Sequence, residues 1–264
     1  MAFPDTVLEE KESLRDKTAK LGTIARACSI YRVDLVQVFD DGAGEQERGL
    51  IVKVLEFLET PQYLRRRIYP IDEALRFAGA LPPLRIPSHK SKARLEDLKI
   101  GETREGVSNG DGTADIGLEE RIRVEGALPH GRVTLRVVSK TPLAGKVVAR
   151  EQLEDYWGYK VQRVKPSDVL DGGGGWLNVA TSRLGRPLAS ELEGLRSSVS
   201  GARAVRLIFG SPSRGLFDIM GSGLERRADH VVNLFPEQGV VSVRTEEALF
   251  AGLSLLSLLC VEKA

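Results

Sequence analysis

The chain is poor in the residues that do chemistry on their own. Of its 264 residues only two are cysteine and three are histidine. Cys28 and Cys260 both lie in apolar, helix-like settings, which excludes a disulfide framework and makes buried thiols the preferred reading. His89, His130 and His230 are not spaced as a ligand pair, so no metal site is expected. There is no Gly-x-Ser-x-Gly elbow and no Cys/His dyad, the common signatures of nucleophilic hydrolysis. No apolar run reaches the ~20 residues of a membrane span. Asp5, Glu9, Glu10 and Glu12 stand where a signal peptide would need a basic start and an apolar run, so a cytoplasmic protein is expected. An excess of either charge is missing too: 38 Lys/Arg against 37 Asp/Glu leave +1. Such a chain has no global attraction for nucleic acid, and any site of that kind must be a local patch. Internal repeats are absent, and low complexity is confined to the glycines at 172–175.

What is present is 42% hydrophobic and 28% charged residues, in a chain long enough for one large domain or two small ones. Residues 3–8 can form a first strand. From Ser13 a helical pattern places Leu14, Leu21, Ile24, Ala25 and Cys28 on one face. Residues 34–39 read as a strand closed by Asp40, Asp41 and Gly42, and residues 45–58 as a second amphipathic helix. Strand and helix in alternation predict parallel βα units. A short helix over 72–79 is expected to break at Pro82, Pro83 and Pro87.

The texture then changes. From 85 to 165 the runs are short and alternating, as in RIRVE (121–125) and RVTLRVV (132–138), with turn residues such as Asn109-Gly110 and Asp111-Gly112 between them. Closely spaced strands of this kind read as a small all-β barrel. After Pro166 the α/β pattern resumes, with a strand at 176–180 and a helix near 188–195. The predicted organisation is a discontinuous α/β domain, 1–84 plus 166–264, with an inserted β-barrel at 85–165. The insert carries a charge balance of +4 and the remainder −3. That asymmetry fits a nucleic-acid contact and ordinary variation equally well.

Three loops stand at strand ends in the second half. They are Ala180-Thr181-Ser182 with Gly185, residues 209–215, and residues 233–248. In a parallel sheet the carboxyl ends of strands share one rim, where α/β proteins build small-molecule sites. Gly210, Gly215 and Gly239 permit close backbone approach, while Leu234, Val240, Val241 and Val243 can wall an aromatic ring. A strand is expected at 240–243. Thr245 can cap the next helix, whose first turn holds Glu246 and Glu247. Beyond it Ala248, Leu249, Phe250, Leu253, Leu255, Leu256, Leu258 and Leu259 leave no polar stripe, so that helix should be buried in a core or between subunits. Loop chemistry alone leaves open whether these are ligand loops or plain turns.

Together FGSPSRG (209–215), NLFPEQG (233–239) and VSVRTEEAL (241–249) resemble the cofactor loops of the SPOUT class of RNA methyltransferases. The resemblance is to the archaeal and eukaryotic branch with a β-barrel insert. It implies an α/β knot with a C-terminal trefoil knot and an inserted OB-like barrel. It also implies S-adenosylmethionine as cofactor, S-adenosylhomocysteine as product, RNA as partner and a homodimer whose pocket is completed at the subunit interface. The cofactor residues it implies are Thr181, Ser182, Phe209, Gly210, Ser211, Gly215, Asn233, Leu234, Pro236, Gly239, Val240, Val241, Val243, Thr245 and Ala248.

Arg26, in AKLGTIARACSIYRVD (19–34), resembles the first-helix arginine of ribose 2′-O-methyltransferases in this class, which implies a role at the reaction centre. An arginine cannot act as base, but it can hold a phosphate or orient a hydroxyl. Without the family it reads as a solvated helix residue, well round from Leu21. Arg65, Arg66 and Arg67, in TPQYLRRRIYP (60–70), read either as phosphate contacts or as a solvated run. Lys90 and Lys92 are weaker candidates of the same kind. Tyr156, Trp157 and Tyr159 could stack on bases, but a barrel core or closing strand explains them better. Glu246 and Glu247 could assist proton removal or simply favour the helix start. Two enzyme readings stay open, methylation of a ribose oxygen or of a base nitrogen. A non-catalytic RNA- or ribosome-binding protein that keeps the knot for dimerisation is the alternative.

Overall fold

A computed structural model describes residues 1–170 and 175–261; of the glycines at 172–175, all but Gly175 lie outside the described residues. The strands are β1 (Ala2–Pro4), β2 (Leu35–Phe39), β3 (Thr103–Ser108), β4 (Thr113–Asp115), β5 (Ile122–Glu125), β6 (Gly131–Lys140), β7 (Leu143–Val147), β8 (Lys160–Val164), β9 (Trp176–Pro187), β10 (Ala204–Ile208) and β11 (His230–Asn233). The helices are α1 (Leu14–Ile30), α2 (Glu45–Glu59), α3 (Gln62–Ile68), α4 (Pro166–Val169), α5 (Leu188–Gly201), α6 (Leu216–Met220), α7 (Leu224–Arg227) and α8 (Thr245–Val261).

Two compact units result. The first comprises residues 1–56, 77–81 and the part of the chain from Tyr159 onward. Its centre is a six-stranded sheet in the order β11-β9-β10-β1-β2-β8. Every neighbouring pair in that sheet is parallel. Strands covered on both faces are apolar almost throughout, which is why Val36, Val38, Phe39, Val179, Leu207 and Ile208 are all buried. One core cluster joins Ala2, Phe39, Ala180 and Ile208 of the sheet to Leu216 and Leu224 of the short helices. Helix α1 begins where its sequence says, since Ser13 Oγ accepts from the Asp16 N–H at 3.1 Å.

The second unit comprises residues 57–76 and 82–158. It contains a closed barrel in the order β3-β4-β5-β7-β6. Ala114, Ile116, Ile122, Val133, Leu135 and Val137 fill it. A buried ionic cluster lies in the same unit. Glu105, fully buried, accepts from Arg150 at 2.8 Å and also from Arg132, Thr134 and Trp157. Glu59 binds Arg132 as well, at 3.1 Å through Nη2.

Several expectations are corrected. The predicted domain edges at 84/85 and 165/166 move: Lys160–Val164 is the edge strand of the parallel sheet, paired with β2, while α3 belongs to the barrel unit. The first strand stops at Pro4 because Asp5 turns inward, accepting from the Asp41 N–H at 2.9 Å and from Arg48 at 3.0 Å. The helix expected at 72–79 is two short 3-10 turns. No strand forms at 240–243. The carbonyls of Val240 and Val241 are instead taken by the Gln238 side chain, at 2.8 and 3.1 Å. Within this chain α8 buries Leu249, Gly252, Leu253 and Leu259, but leaves Leu258 64% exposed.

Candidate functional site

At the carboxyl ends of β9, β10 and β11 the first unit encloses a cavity of about 380 Å³. That is within the size range of small-molecule sites, ~300–1,000 Å³. Its lining includes twelve of the fifteen residues expected to hold a cofactor: Thr181, Ser182, Phe209, Gly210, Ser211, Gly215, Asn233, Leu234, Val241, Val243, Thr245 and Ala248. Pro236, Gly239 and Val240 are not in the lining. The lining also holds Arg183, Leu184, Phe217 and Asp218, which the sequence reading did not name, and Pro212, Ser213, Arg214, Phe235, Gln238 and Ser242, which fall within the expected loops. Most are immediate neighbours of expected residues, so loop membership was the signal available.

The three loops are bonded to one another. Thr181 Oγ1 donates to the Ile208 carbonyl at 3.0 Å, tying the first loop to the end of β10. Thr245 Oγ1 donates to the Gly210 carbonyl at 3.3 Å, and Ser242 Oγ to the Pro212 carbonyl at 3.1 Å, tying the third loop to the second. Asn233 Nδ2 donates to the Arg183 carbonyl at 2.9 Å, and its Oδ1 accepts from the Phe235 N–H at 2.9 Å, tying the third loop to the first. Gly210 is required where it stands, because a Cβ there would lie 2.8 Å from the Arg214 carbonyl oxygen. The second loop is also anchored outward. Arg214 Nη1 donates to Asp41 Oδ1 at 2.7 Å, and the Ser213 N–H to Glu9 Oε1 at 2.9 Å. Asp218 caps α6 by accepting from the Gly215 N–H at 2.9 Å.

The start of α8 is held from the opposite side. Lys20, buried on α1, pairs with Glu246 at 3.0 Å and with Glu10 at 2.8 Å. Burial alone would push the Glu10 carboxyl up, but its bonds to Lys20 and Lys11 outweigh that and hold it low. Glu247 accepts from the Arg244 N–H at 2.9 Å. Both glutamates therefore have partners that hold the start of α8.

The remaining expected residues lie elsewhere. Arg26 is exposed on α1, and it is not part of the cavity lining of its own chain. Arg65 is corrected outright: it is buried, donates to the Thr60 carbonyl at 2.9 Å and the Leu58 carbonyl at 3.1 Å, and stacks on Phe57. Arg66 is exposed, and Arg67 is exposed but paired with Asp115. Lys90 and Lys92 are exposed. Trp157 and Tyr159 are buried and donate to Glu105 and, at 2.9 Å, to the Leu55 carbonyl, as a structural role requires. Among the described residues no cluster of three or more His, Cys, Asp or Glu could hold a metal. No described helix is long and apolar enough to cross a membrane.

A family model described as "Putative RNA methyltransferase" matches residues 1–256. An uncharacterised protein of Halobacterium salinarum is 33% identical, over 97% of each chain. A human protein named 28S rRNA (uridine-N(3))-methyltransferase is 28% identical, over 97% of this chain and 77% of its own. A mouse protein of the same name is similar at 28%, over 97% of this chain and 75% of its own.

Proposed function

This chain belongs to the SPOUT-class RNA methyltransferase family whose model it matches, and from that premise we propose that the cavity binds S-adenosylmethionine and that the methyl group goes to N3 of a uridine in RNA. The observation that carries the reading is the cross-bonding of three loops around one cavity of ligand size. When bound, the cofactor supplies an electrophilic methyl on a sulfonium and leaves as S-adenosylhomocysteine. The chain's own residues bind and orient. Leu234, Val243 and Ala248 would offer apolar contact to the adenine, and Thr181, Ser182, Ser211 and Thr245 add hydroxyls to the lining. Pro236, Gly239 and Val240 shape the loop from outside the lining. Transfer of a methyl group is an in-line displacement, so alignment is the main work of such a site.

The choice of uridine N3 over a ribose 2′-O is supported by the names of the human and mouse relatives. A trefoil knot over 205–256 is part of the proposal. It is supported by the seating of residues 242–245 on the 210–212 loop and by a sheet in which β9 lies between β10 and β11. So is a homodimer: Ala19, Thr23, Arg26 and Ile30 form one exposed stripe of α1, and Leu258 is exposed on α8, which packs against α1. In that dimer Arg26 would serve the partner's cavity rather than its own. The barrel unit, OB-like in its five closed strands, would recruit RNA through Arg66, Lys90 and Lys92.

Titration calorimetry with S-adenosylhomocysteine and nucleoside mass spectrometry of total RNA treated with enzyme and cofactor test the reading. Binding, and the appearance of N3-methyluridine, are expected. No affinity removes the cofactor assignment; a 2′-O-methyl nucleoside instead removes the choice of atom.

A further inference from the structure

Residues 181–185 interrupt the parallel sheet at the cavity. The ladder pairs Val231 with Ala180 and then Val232 with Arg186, so 181–185 arch out with no partner on β11. The arch is braced by the Asn233 bond to the Arg183 carbonyl and by a 3.1 Å bond from the Leu184 N–H to Ser182 Oγ. Bulges of this sort re-aim side chains next to functional sites. The side chains displayed here are Arg183 and Leu184, both exposed and both lining the cavity. Val241, 92% exposed, lines the same cavity from the third loop. Two large apolar side chains left in water at one cavity, beside a cation, mark a place for a flat, partly polar ligand.

The cation is available. Of the charged residues in the lining, Arg214 is bound to Asp41 and Asp218 to the Gly215 N–H. The Arg183 guanidinium has no hydrogen-bond or ion-pair partner among the described residues. Uracil N3 sits between two carbonyls, so its electron pair is delocalised and N3 becomes nucleophilic only once its proton is gone. The negative charge then gathers on O2 and O4. An arginine, charged at any working pH, stabilises that charge through paired N–H donors without being a base itself. A base must also leave its stack to be reached at all, and apolar contacts to its faces repay part of that cost.

We infer that Arg183, Leu184 and Val241 form the subsite for the flipped-out uracil, the two apolar side chains against the ring and Arg183 on its carbonyl oxygens. This rests on the reading that the cavity binds S-adenosylmethionine. In the step it serves, the N3 proton leaves to solvent and the N3 electron pair forms the bond to the methyl carbon. The methyl–sulfur bond breaks with its pair on sulfur, so anion and sulfonium become two neutral products.

The test compares fluorescent oligouridylate with oligo-5-fluorouridylate, whose N3–H is more acidic, on enzyme saturated with S-adenosylhomocysteine. As pH is raised through the ionisation of the fluorinated base, the wild type should come to prefer it. Arg183→Ala should lose about tenfold or more of that preference and a similar factor in methylation of total RNA, with partial rescue by Arg183→Lys. Calorimetric affinity for S-adenosylhomocysteine should stay within about twofold, because no cofactor contact is removed. Equal pH-dependent preference in wild type and Arg183→Ala, or none in either, overturns the subsite. So does conversion of a dimer to a monomer by Leu184→Asp, which would make this rim a subunit contact. If the wild type fails to bind S-adenosylhomocysteine, the cofactor reading falls first and this failure is distinguishable from the others.

Discussion

Glu105 stands at the centre of the buried ionic cluster of the barrel unit, accepting from Arg132, Thr134, Arg150 and Trp157. Burial would raise its carboxyl, yet Arg132 and Arg150 outweigh burial and hold it below the usual carboxylate range. Removing one partner from such a cluster strands the others, so Glu105→Ala should cost about 3–5 kcal/mol in denaturant unfolding. His89 gives a pH dependence of known sign. Its Nε2 lies 2.8 Å from the Glu59 carbonyl, which can only accept, so Nε2 carries the proton and the buried Nδ1 has no partner among the described residues. Burial lowers the ring from 6.5 to about 4. A depressed folded value means stability is present above the unfolded value and lost as pH falls between those two limits, by at most about 3 kcal/mol. His89→Gln, which keeps a donor and cannot titrate, should flatten that limb of the denaturation midpoint against pH. None of this was readable beforehand. Alternation marks which positions of a strand face inward, but a charge facing inward is intelligible only with its partner in place.

At the scale of elements, the register shift between the paired strands β9 and β11 leaves no room for an added side chain. A Cβ at Gly185 would lie 2.7 Å from the Val231 carbonyl oxygen and 2.8 Å from the Val232 carbonyl carbon, backbone that cannot swing aside. Gly185→Ala should lower stability by about 1–3 kcal/mol and weaken S-adenosylhomocysteine binding, read by thermal unfolding and calorimetry. Gly239→Ala, whose added methyl meets nothing within 4 Å beyond its chain neighbours, should change neither. The long helices were legible from their periodicity, and at Ser13 the expected cap forms. At Thr245 it does not: that hydroxyl donates to the Gly210 carbonyl, and Glu247 accepts from the Arg244 N–H at the helix start instead. The short strands were not legible. Residues 5–8 and 240–243 have strand-like composition, and side-chain bonds from Asp5 and Gln238 decide against the ladder.

For the molecule as a whole the proposed dimer makes separable predictions. Leu258→Glu adds charge at an exposed position, so it should leave the fold intact and reduce a dimer to a monomer in light scattering. Arg26→Ala should depress turnover far more than cofactor affinity. If Arg26 acts across the interface, mixing Arg26→Ala with Gly185→Ala subunits should restore part of the activity each lacks alone. Equal loss of turnover and affinity in Arg26→Ala would count against that role.

The sequence by itself determined the α/β alternation, the presence of a barrel-like middle and the three loops, because periodicity, glycine and proline placement and helix caps are local properties. Tertiary structure alone decided where the units divide, which arginines are spent inside the protein and which side chains the 181–185 arch leaves in water. Those outcomes depend on what lies opposite each residue, and a hydrogen bond between positions tens of residues apart leaves no trace in the spacing of either.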